Sequence, residues 1–272
     1  MNSMKIATVI NYCSNDYHFI QPAINQTAKF SQQIIVPYCD HFYDASLENK
    51  SLIQQTIKAN PQVQFVEFPY NPQATRTLWR GWQFILRHLG LGRVWGPQYW
   101  ICYARRLGFT QVNDNIDYVL FLDADEIIDA KRFLQWLNIK NYQKFDALKL
   151  ATYWYWRSPS YQADVWEDNP LLARRSSLAE AIFMDHEERN AIYKSISGEK
   201  IRMVLGLDRQ PMIHHYGWAK PKENLLKKVK TWGHNKDRNW IKLIHQEFSH
   251  PFSGQDFLYP KRHYQIVKPF IK

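Results

Sequence analysis

The sequence predicts an α/β fold with a mostly parallel central sheet flanked by helices. Three observations carry that expectation. The first 70 residues alternate β-branched apolar runs with helically spaced ones, in the order β-α-β-α-β. Such an order requires parallel strands joined by right-handed crossovers. Residues 118–122, Tyr-Val-Leu-Phe-Leu, form an apolar run of strand length, the pattern of a strand covered on both faces. Hydrophobic residues make up 45% of the 272, enough for a sizeable core.

A first strand is predicted over 5–12, followed by the polar loop Cys13-Ser-Asn-Asp16 and a helix over 20–30. A second strand covers 33–37 and ends in the loop 38–45. Residues 47–59 have helical spacing through Leu52, Ile53 and Ile57, and Asn60-Pro61 stops the helix. A third strand covers 64–69. Residues 75–89 have a helical pattern, after which Gly90, Gly92 and Gly96 break the chain. A helix over 99–109 carries Arg105 and Arg106 and leads to the strand at 118–122. Asp129 is an N-cap for a helix over 130–137. A long aromatic and β-branched strand is expected over 147–156, then an acidic loop over 164–170, a short strand over 171–174, a helix over 182–196 and a late strand over 210–216. Pro221 opens an amphipathic helix reaching 232. Its seam is Leu225, Val229 and Trp232, with Lys222, Lys227, Lys228 and Lys230 largely off it. The tail from 251 is predicted to be irregular. The expected organisation is one domain over 1–218, with a helical extension over 219–272 packed on it.

The formal net charge is +10, which suits an anionic partner: nucleic acid, a phosphorylated substrate or an acidic membrane surface. No uninterrupted Lys/Arg tract of the nucleic-acid-arm kind is present. The 11 Trp and 16 Tyr suit sugar stacking and interfaces as well as cores. Cys13, Cys39 and Cys102 are too few and too far apart for a disulfide framework or a Cys-x-x-Cys metal site. No apolar run approaches the ~20 residues of a membrane span, and the N-terminus lacks a signal-peptide core. A cytoplasmic protein is expected, with peripheral membrane contact compatible with its charge.

The strand at 118–122 breaks into Asp123, Asp125 and Glu126. If the chain stays extended, Asp123 and Asp125 share one side. Carboxylates at the carboxyl end of a buried strand sit where open α/β sheets bind ligands. A divalent cation would neutralise them, and hard oxygen ligands suit Mg2+ or Mn2+. The plainer alternative is that the acids end a strand and favour the start of the next helix.

Four pieces together resemble the family-two-like glycosyltransferases of the GT-A fold, the nucleotide-diphospho-sugar transferase fold. They are the opening Ala7-Thr-Val-Ile-Asn-Tyr-Cys-Ser-Asn15; Ile34-Ile-Val-Pro-Tyr-Cys-Asp40; Ala104-Arg-Arg-Leu-Gly108 upstream of Leu122-Asp-Ala-Asp-Glu126, similar to the family's Asp-x-Asp motif; and Ile213-His-His-Tyr-Gly-Trp218 before a Lys-rich helix. The resemblance spans most of 5–235. It implies a metal-dependent transfer of sugar from a nucleotide-sugar donor to a hydroxyl on a glycan, lipid or other acceptor, with inversion.

The resemblance also implies roles. Asp125 is the first candidate metal ligand, with Asp123 sharing the metal or contacting the ribose, and Glu126 orienting them or binding acceptor. His215 is the candidate third ligand. His214 lies on the opposite strand face, so only one of the two should point inward; a core or surface imidazole is the plainer reading of either. Arg105 and Arg106 could hold diphosphate bidentately, or form a solvated face with carboxylate partners. Lys220 and Lys222 could approach it too. Asn11, Asn15 and Asp40 are candidates for the nucleoside, with ordinary turn chemistry as their alternative. The loop 38–44 departs from the family's usual acidic loop, and there Asp44 competes with Asp40. A general base must take the acceptor proton. Asp168 is the first candidate, Glu167 the next, and Trp166 could stack on a sugar. The acids of Asp185-His-Glu-Glu188 are a rival set. The segment 71–97 exceeds a compact member's short connection and would serve as an acceptor-side insert or an oligomer contact.

Three other readings fit less well. A basic nucleic-acid-binding protein would use the charge and aromatics, but no recognition motif is present, and no nucleic-acid partner is expected. A non-catalytic glycan-binding relative would not need the acid pair. A nucleotidyltransferase would carry an early Gly-rich phosphate loop, and the sequence has none.

Overall fold

The structure is a computed structural model in which residues 4–70, 97–139, 141–185, 189–231, 238–259 and 261–271 are described. Two sheets organise it. In the first, β1 (Ile6–Asn11), β2 (Gln33–Cys39) and β3 (Gln64–Phe68) alternate with α1 (Tyr17–Thr27) and α2 (Lys50–Ala59). Helix α3 (Pro97–Thr110) leads to β4 (Tyr118–Asp123). The chain then turns into β5 (Glu126–Ile128), α4 (Ala130–Asn138), β6 (Ala147–Leu150), β7 (Thr152–Trp156), β8 (Tyr161–Glu167) and β9 (Leu171–Arg174). Two short helices, α5 (Glu180–Asp185) and α6 (Arg189–Ser195), precede β10 (Lys200–Val204) and β11 (Ile213–Trp218). Helices α7 (Lys222–Thr231) and α8 (Trp240–Glu247) and strand β12 (Tyr264–Ile266) follow.

The larger sheet has the order β10-β6-β9-β4-β1-β2-β3. All its pairings are parallel except those of β9. The expected class is therefore observed: α/β, with a mostly parallel central sheet flanked by helices. A smaller sheet has the order β12-β8-β7-β11-β5. The inner strands β1 and β4 are mostly apolar and buried almost throughout because both faces are covered. Gly108 lets α3 press onto β1, since a Cβ there would lie 2.4 Å from a Val9 methyl. Asn49 and Asp129 cap α2 and α4 through the amides of Leu52 and Arg132.

Several sequence expectations change. The strand expected over 147–156 is two strands meeting at Ala151, because β6 joins the large sheet and β7 the small one. The loop expected over 164–170 is strand as far as Glu167, because β8 pairs with both β7 and β12. Two helices replace the single helix over 182–196. Strands β5, β10 and β12 and helix α8 were not expected; β5, β10 and β12 are short or carry charges that mask a strand pattern. The helix expected over 75–89 lies outside the described residues. Leu225 and Val229 of α7 share a core with Trp154, Trp156, Trp218 and Ile244, so residues after 218 pack on the small sheet. Among the described residues no helix is long and apolar enough to cross a membrane.

Candidate functional site

The two sheets meet at the acids. Asp123 is the last residue of β4 and stands opposite Asn11, the last of β1. The chain then turns, and the Ala124 amide donates to the Asn11 carbonyl at 2.9 Å. It re-enters as β5 in the other sheet, antiparallel to β11, where His215 faces Glu126 in register. The Tyr216 amide donates to the Asp125 carbonyl at 2.8 Å. The turn means that strand alternation does not relate Asp123 to Asp125. Pairing of β5 with β11 is instead what carries His215 to Asp125.

A cavity of about 700 Å³ opens at this seam. It is lined by Asn11, Asn15, Arg105, Asp123, Asp125, Glu167, Asp168 and His215, all singled out in the sequence. Asp40 and Arg106 do not line it. Asp40 is held by His41 Nδ1 at 2.6 Å, and it is His41 and Phe42 that reach the cavity. Arg106 donates to Glu180 at 3.0 Å on the surface, because neighbours on a helix point about 100° apart. Asp44 closes a local turn through the Ser46 amide and hydroxyl. The side chains of 185–188 lie outside those described.

Charges around the two acids are closely matched. Asp123 receives Arg105 on Oδ1 and Arg189 on Oδ2, both at 3.2 Å. Glu126 is fully buried and receives Arg189 twice, at 2.5 and 2.7 Å. It also accepts the Asp123 amide at 2.9 Å, so it orients the first acid from behind. Burial pushes the Asp123 carboxyl up, but the two arginines outweigh it and hold it below the usual range.

Asp125 faces three groups. Lys220 Nζ and Lys228 Nζ each lie 3.4 Å from Oδ2, and His215 Nε2 lies 3.7 Å from Oδ1. Burial again acts upward, but Lys228, Lys220 and His215 hold the carboxyl well below its ordinary value. Lys220 is buried and tied to Asp16 as well. Its burial favours the neutral amine, but Asp16 and Asp125 outweigh that and raise it above the usual lysine range. His214 turns the other way, within hydrogen-bond distance of Tyr155 at 2.6 Å, and burial pushes it down to about 3.

Asn11 and Asn15 line the cavity, buried, and each side-chain carbonyl oxygen lacks a hydrogen-bond partner among the described residues. Such acceptors are satisfied by a ligand's hydroxyl or N–H donors. Glu48 also lines the cavity, accepting the Ser14 amide at 3.0 Å and its hydroxyl, and burial raises it to about 7.

The other half of the cavity is aromatic. Trp154, Trp166, Trp218, Trp240 and Tyr259 line it beside Glu167 and Asp168. Asp168 accepts a two-pronged contact from Arg202, both arms at 2.8 Å. Glu167 accepts from Arg262 at 2.6 Å and from Asn169 at 2.9 Å. Behind them, Lys149 is buried and donates to the Asn169 carbonyl at 2.7 Å; burial lowers it to about 7.

Sequence reading missed Asp16, Glu48, Arg189, Lys228 and the deep Lys149. Arg189 sits one residue past the acid run that drew attention instead, and Lys228 reads as one of several solvated lysines. No spacing rule marks either.

A carboxylate oxygen and an imidazole nitrogen are donors of the kinds that bind divalent cations. Asp125 Oδ1 and His215 Nε2 face one another at the cavity wall. No three His, Cys, Asp or Glu side chains are gathered to hold an ion among the described residues. The Asp125–His215 pair would hold it with ligand oxygens in the remaining positions, as is usual where one or two protein groups and substrate phosphates share a Mg2+.

No family model matches the chain, and no curated protein matches it in sequence. Among solved structures, 4-diphosphocytidyl-2C-methyl-D-erythritol synthase from Anaerococcus prevotii DSM 20548 aligns with a TM-score of 0.44 at 11% identity, over 83% of this chain and 97% of that one. TarS 1–349 from S. aureus aligns with a TM-score of 0.44 at 14% identity, over 90% of this chain and 73% of that one. At those values neither likeness bears on the chemistry of the site.

Proposed function

We propose that the chain is a glycosyltransferase that moves a sugar from a nucleoside-diphosphate sugar to a hydroxyl acceptor, with inversion. One observation carries the reading. A single cavity gathers Asn11, Asn15, Arg105, Asp123, Asp125, Glu167, Asp168 and His215 from across the chain. They are residues to which the sequence resemblance gives roles, whereas Asp40 and Arg106, given roles as well, lie outside the cavity.

In this reading Asn11 and Asn15 accept hydrogen bonds from the nucleoside. Asp125 and His215, with Asp123 beside them, would hold a divalent cation, Mn2+ or Mg2+, which would supply positive charge to the diphosphate leaving group. Arg105 and Arg189 orient Asp123. Trp154, Trp166 and Tyr259 offer apolar faces to sugar rings. Asp168 takes the acceptor's hydroxyl proton, with Glu167 the alternative base. The acceptor oxygen bonds to the anomeric carbon as the bond from that carbon to the phosphate oxygen breaks. Its electron pair leaves with the nucleoside diphosphate. Arg202 keeps the Asp168 carboxylate turned into place.

The test is release of nucleoside diphosphate from a panel of UDP- and GDP-sugars, with Mn2+ and mixed saccharide acceptors. The reading predicts release by the wild-type chain from at least one donor, and far less by Asp168→Asn. Absence of release from every donor, with the chain folded and the nucleotide bound, points to a non-catalytic relative instead.

A further inference from the structure

The contacts of Asp125 show a cation already in place. Asp16, Asp123, Asp125 and Glu126 face Arg105, Arg189, Lys220 and Lys228, so among the described residues these four carboxylates are matched by four side-chain cations. A cluster closed in charge gains little from a further cation alone, and a lone diphosphate would meet four carboxylates. A cation and a diphosphate arriving together leave the balance intact.

Two lysines touch Asp125, and they differ. Lys220 is 2% exposed and anchored by Asp16. Lys228 is 20% exposed, lines the cavity, and has the Gly217 carbonyl as its closer partner, at 3.0 Å. Gly217 lies against both Lys228 and His215. A Cβ there would lie 2.7 Å from His215 Nε2 and 3.4 Å from Lys228 Nζ. The Lys228 ammonium therefore stands beside the His215 imidazole against the same carboxylate. A divalent ion entering between Asp125 and His215 would meet that ammonium at close range, where like charges repel.

We infer that Lys228 is an exchangeable placeholder cation: it neutralises Asp125 in the free protein and moves to the diphosphate when a divalent ion and nucleotide bind as a pair. The inference rests on the glycosyltransferase reading for its diphosphate, and it goes further by assigning a chain residue and a binding order. Cation and nucleotide must each strengthen the other's binding by the same factor, because the coupling is reciprocal.

The experiment is calorimetric titration of Mn2+ into wild type, Lys228→Met, Lys228→Arg and the control Lys242→Met, which changes an exposed lysine on α8. UDP and GDP are then titrated in saturating Mn2+. Circular dichroism and a melting curve confirm that each variant is folded. Removing the placeholder is expected to tighten Mn2+ alone by about tenfold or more and to weaken the nucleotide by a comparable factor, within the usual range of site coupling. Lys228→Arg and Lys242→Met are expected to match wild type for Mn2+. Equal Mn2+ affinity in wild type and Lys228→Met, undetectable in both included, overturns the inference. If nucleotide still binds with Mn2+ in that case, the transferase reading survives without it. Tighter Mn2+ binding in Lys228→Met with no nucleotide bound by any protein keeps the placeholder and removes the transferase reading.

Discussion

His215 Nε2 lies 3.7 Å from Asp125 Oδ1, across the seam where the two sheets exchange strands. The distance is set by backbone pairing, since β5 and β11 run antiparallel with His215 opposite Glu126. It is too long for a hydrogen bond and leaves an oxygen and a nitrogen facing each other beside a cavity. Gly217, two residues on, leaves room for the His215 ring, since a Cβ there would lie 2.7 Å from Nε2.

Gly217→Ala is therefore a local test of the seam. The added methyl would come within 2.7 Å of His215 Nε2, so the ring must move. The expected result is a drop of roughly tenfold or more in Mn2+-dependent nucleotide affinity, the scale on which groups supporting metal ligands act. The melting temperature should change by only a few degrees, because the clash falls on a side-chain end. Unchanged affinity would detach His215 from ligand binding.

Asp168→Asn keeps the side chain's shape, removes the charge and leaves one of the two Arg202 donors without its acceptor. Turnover is expected to fall by about 10²–10⁴, the usual contribution of a positioned base. Nucleotide affinity should hold within about twofold, since Asp168 lies on the aromatic side of the cavity. A normal rate would shift the base to Glu167 or beyond.

Arg189 bears on stability as well as on the site. It makes two contacts with Glu126, which is fully buried. Arg189→Met would leave that carboxylate uncompensated, at a cost of roughly 3–5 kcal/mol. The melting temperature should fall by on the order of ten degrees. Adding Glu126→Gln should recover part of the loss, because the two are one network. Denaturant titration of the single and double variants measures it.

Two buried groups give a distinctive pH profile. Glu48 is raised from 4.5 to about 7 by burial. Between those values the folded state holds a proton that the unfolded state has lost, so stability falls as pH rises through that window. Lys149 is lowered from 10.5 to about 7 by burial. Between 7 and 10.5 the unfolded state binds the extra proton, so stability rises with pH. Together they produce a trough near pH 7. Urea midpoints from pH 4.5 to 10 should show it. Glu48→Gln should flatten the acid limb and Lys149→Met the alkaline one.

The sequence disclosed what period and punctuation encode. The run of apolar residues to Leu122, the cap Asp129, and the early β-α alternation are local signals, and their elements form close to the expected bounds. The same run ends in Asp123 and Asp125, and both line the cavity. What it did not disclose depends on pairing at a distance. Strand β5 has only three residues and exists through its ladder with β11. Residues 147–156 read as one strand because nothing local marks Ala151 as the point where the chain changes sheets. Arg189 and Lys228 look like surface charges in sequence; only the fold brings them to Asp123 and Asp125. Arg106 shows the converse, since one step along the helix separates it from Arg105 and sends it to Glu180.

The most direct test of the central claim is calorimetric titration of UDP and GDP into the wild-type chain, first with Mn2+ and then with EDTA. The account predicts that one nucleoside diphosphate binds with Mn2+ and that EDTA abolishes or strongly weakens the binding. Binding of neither nucleotide under either condition, or binding of equal strength in EDTA, would contradict a cation-assisted diphosphate site at Asp125 and His215.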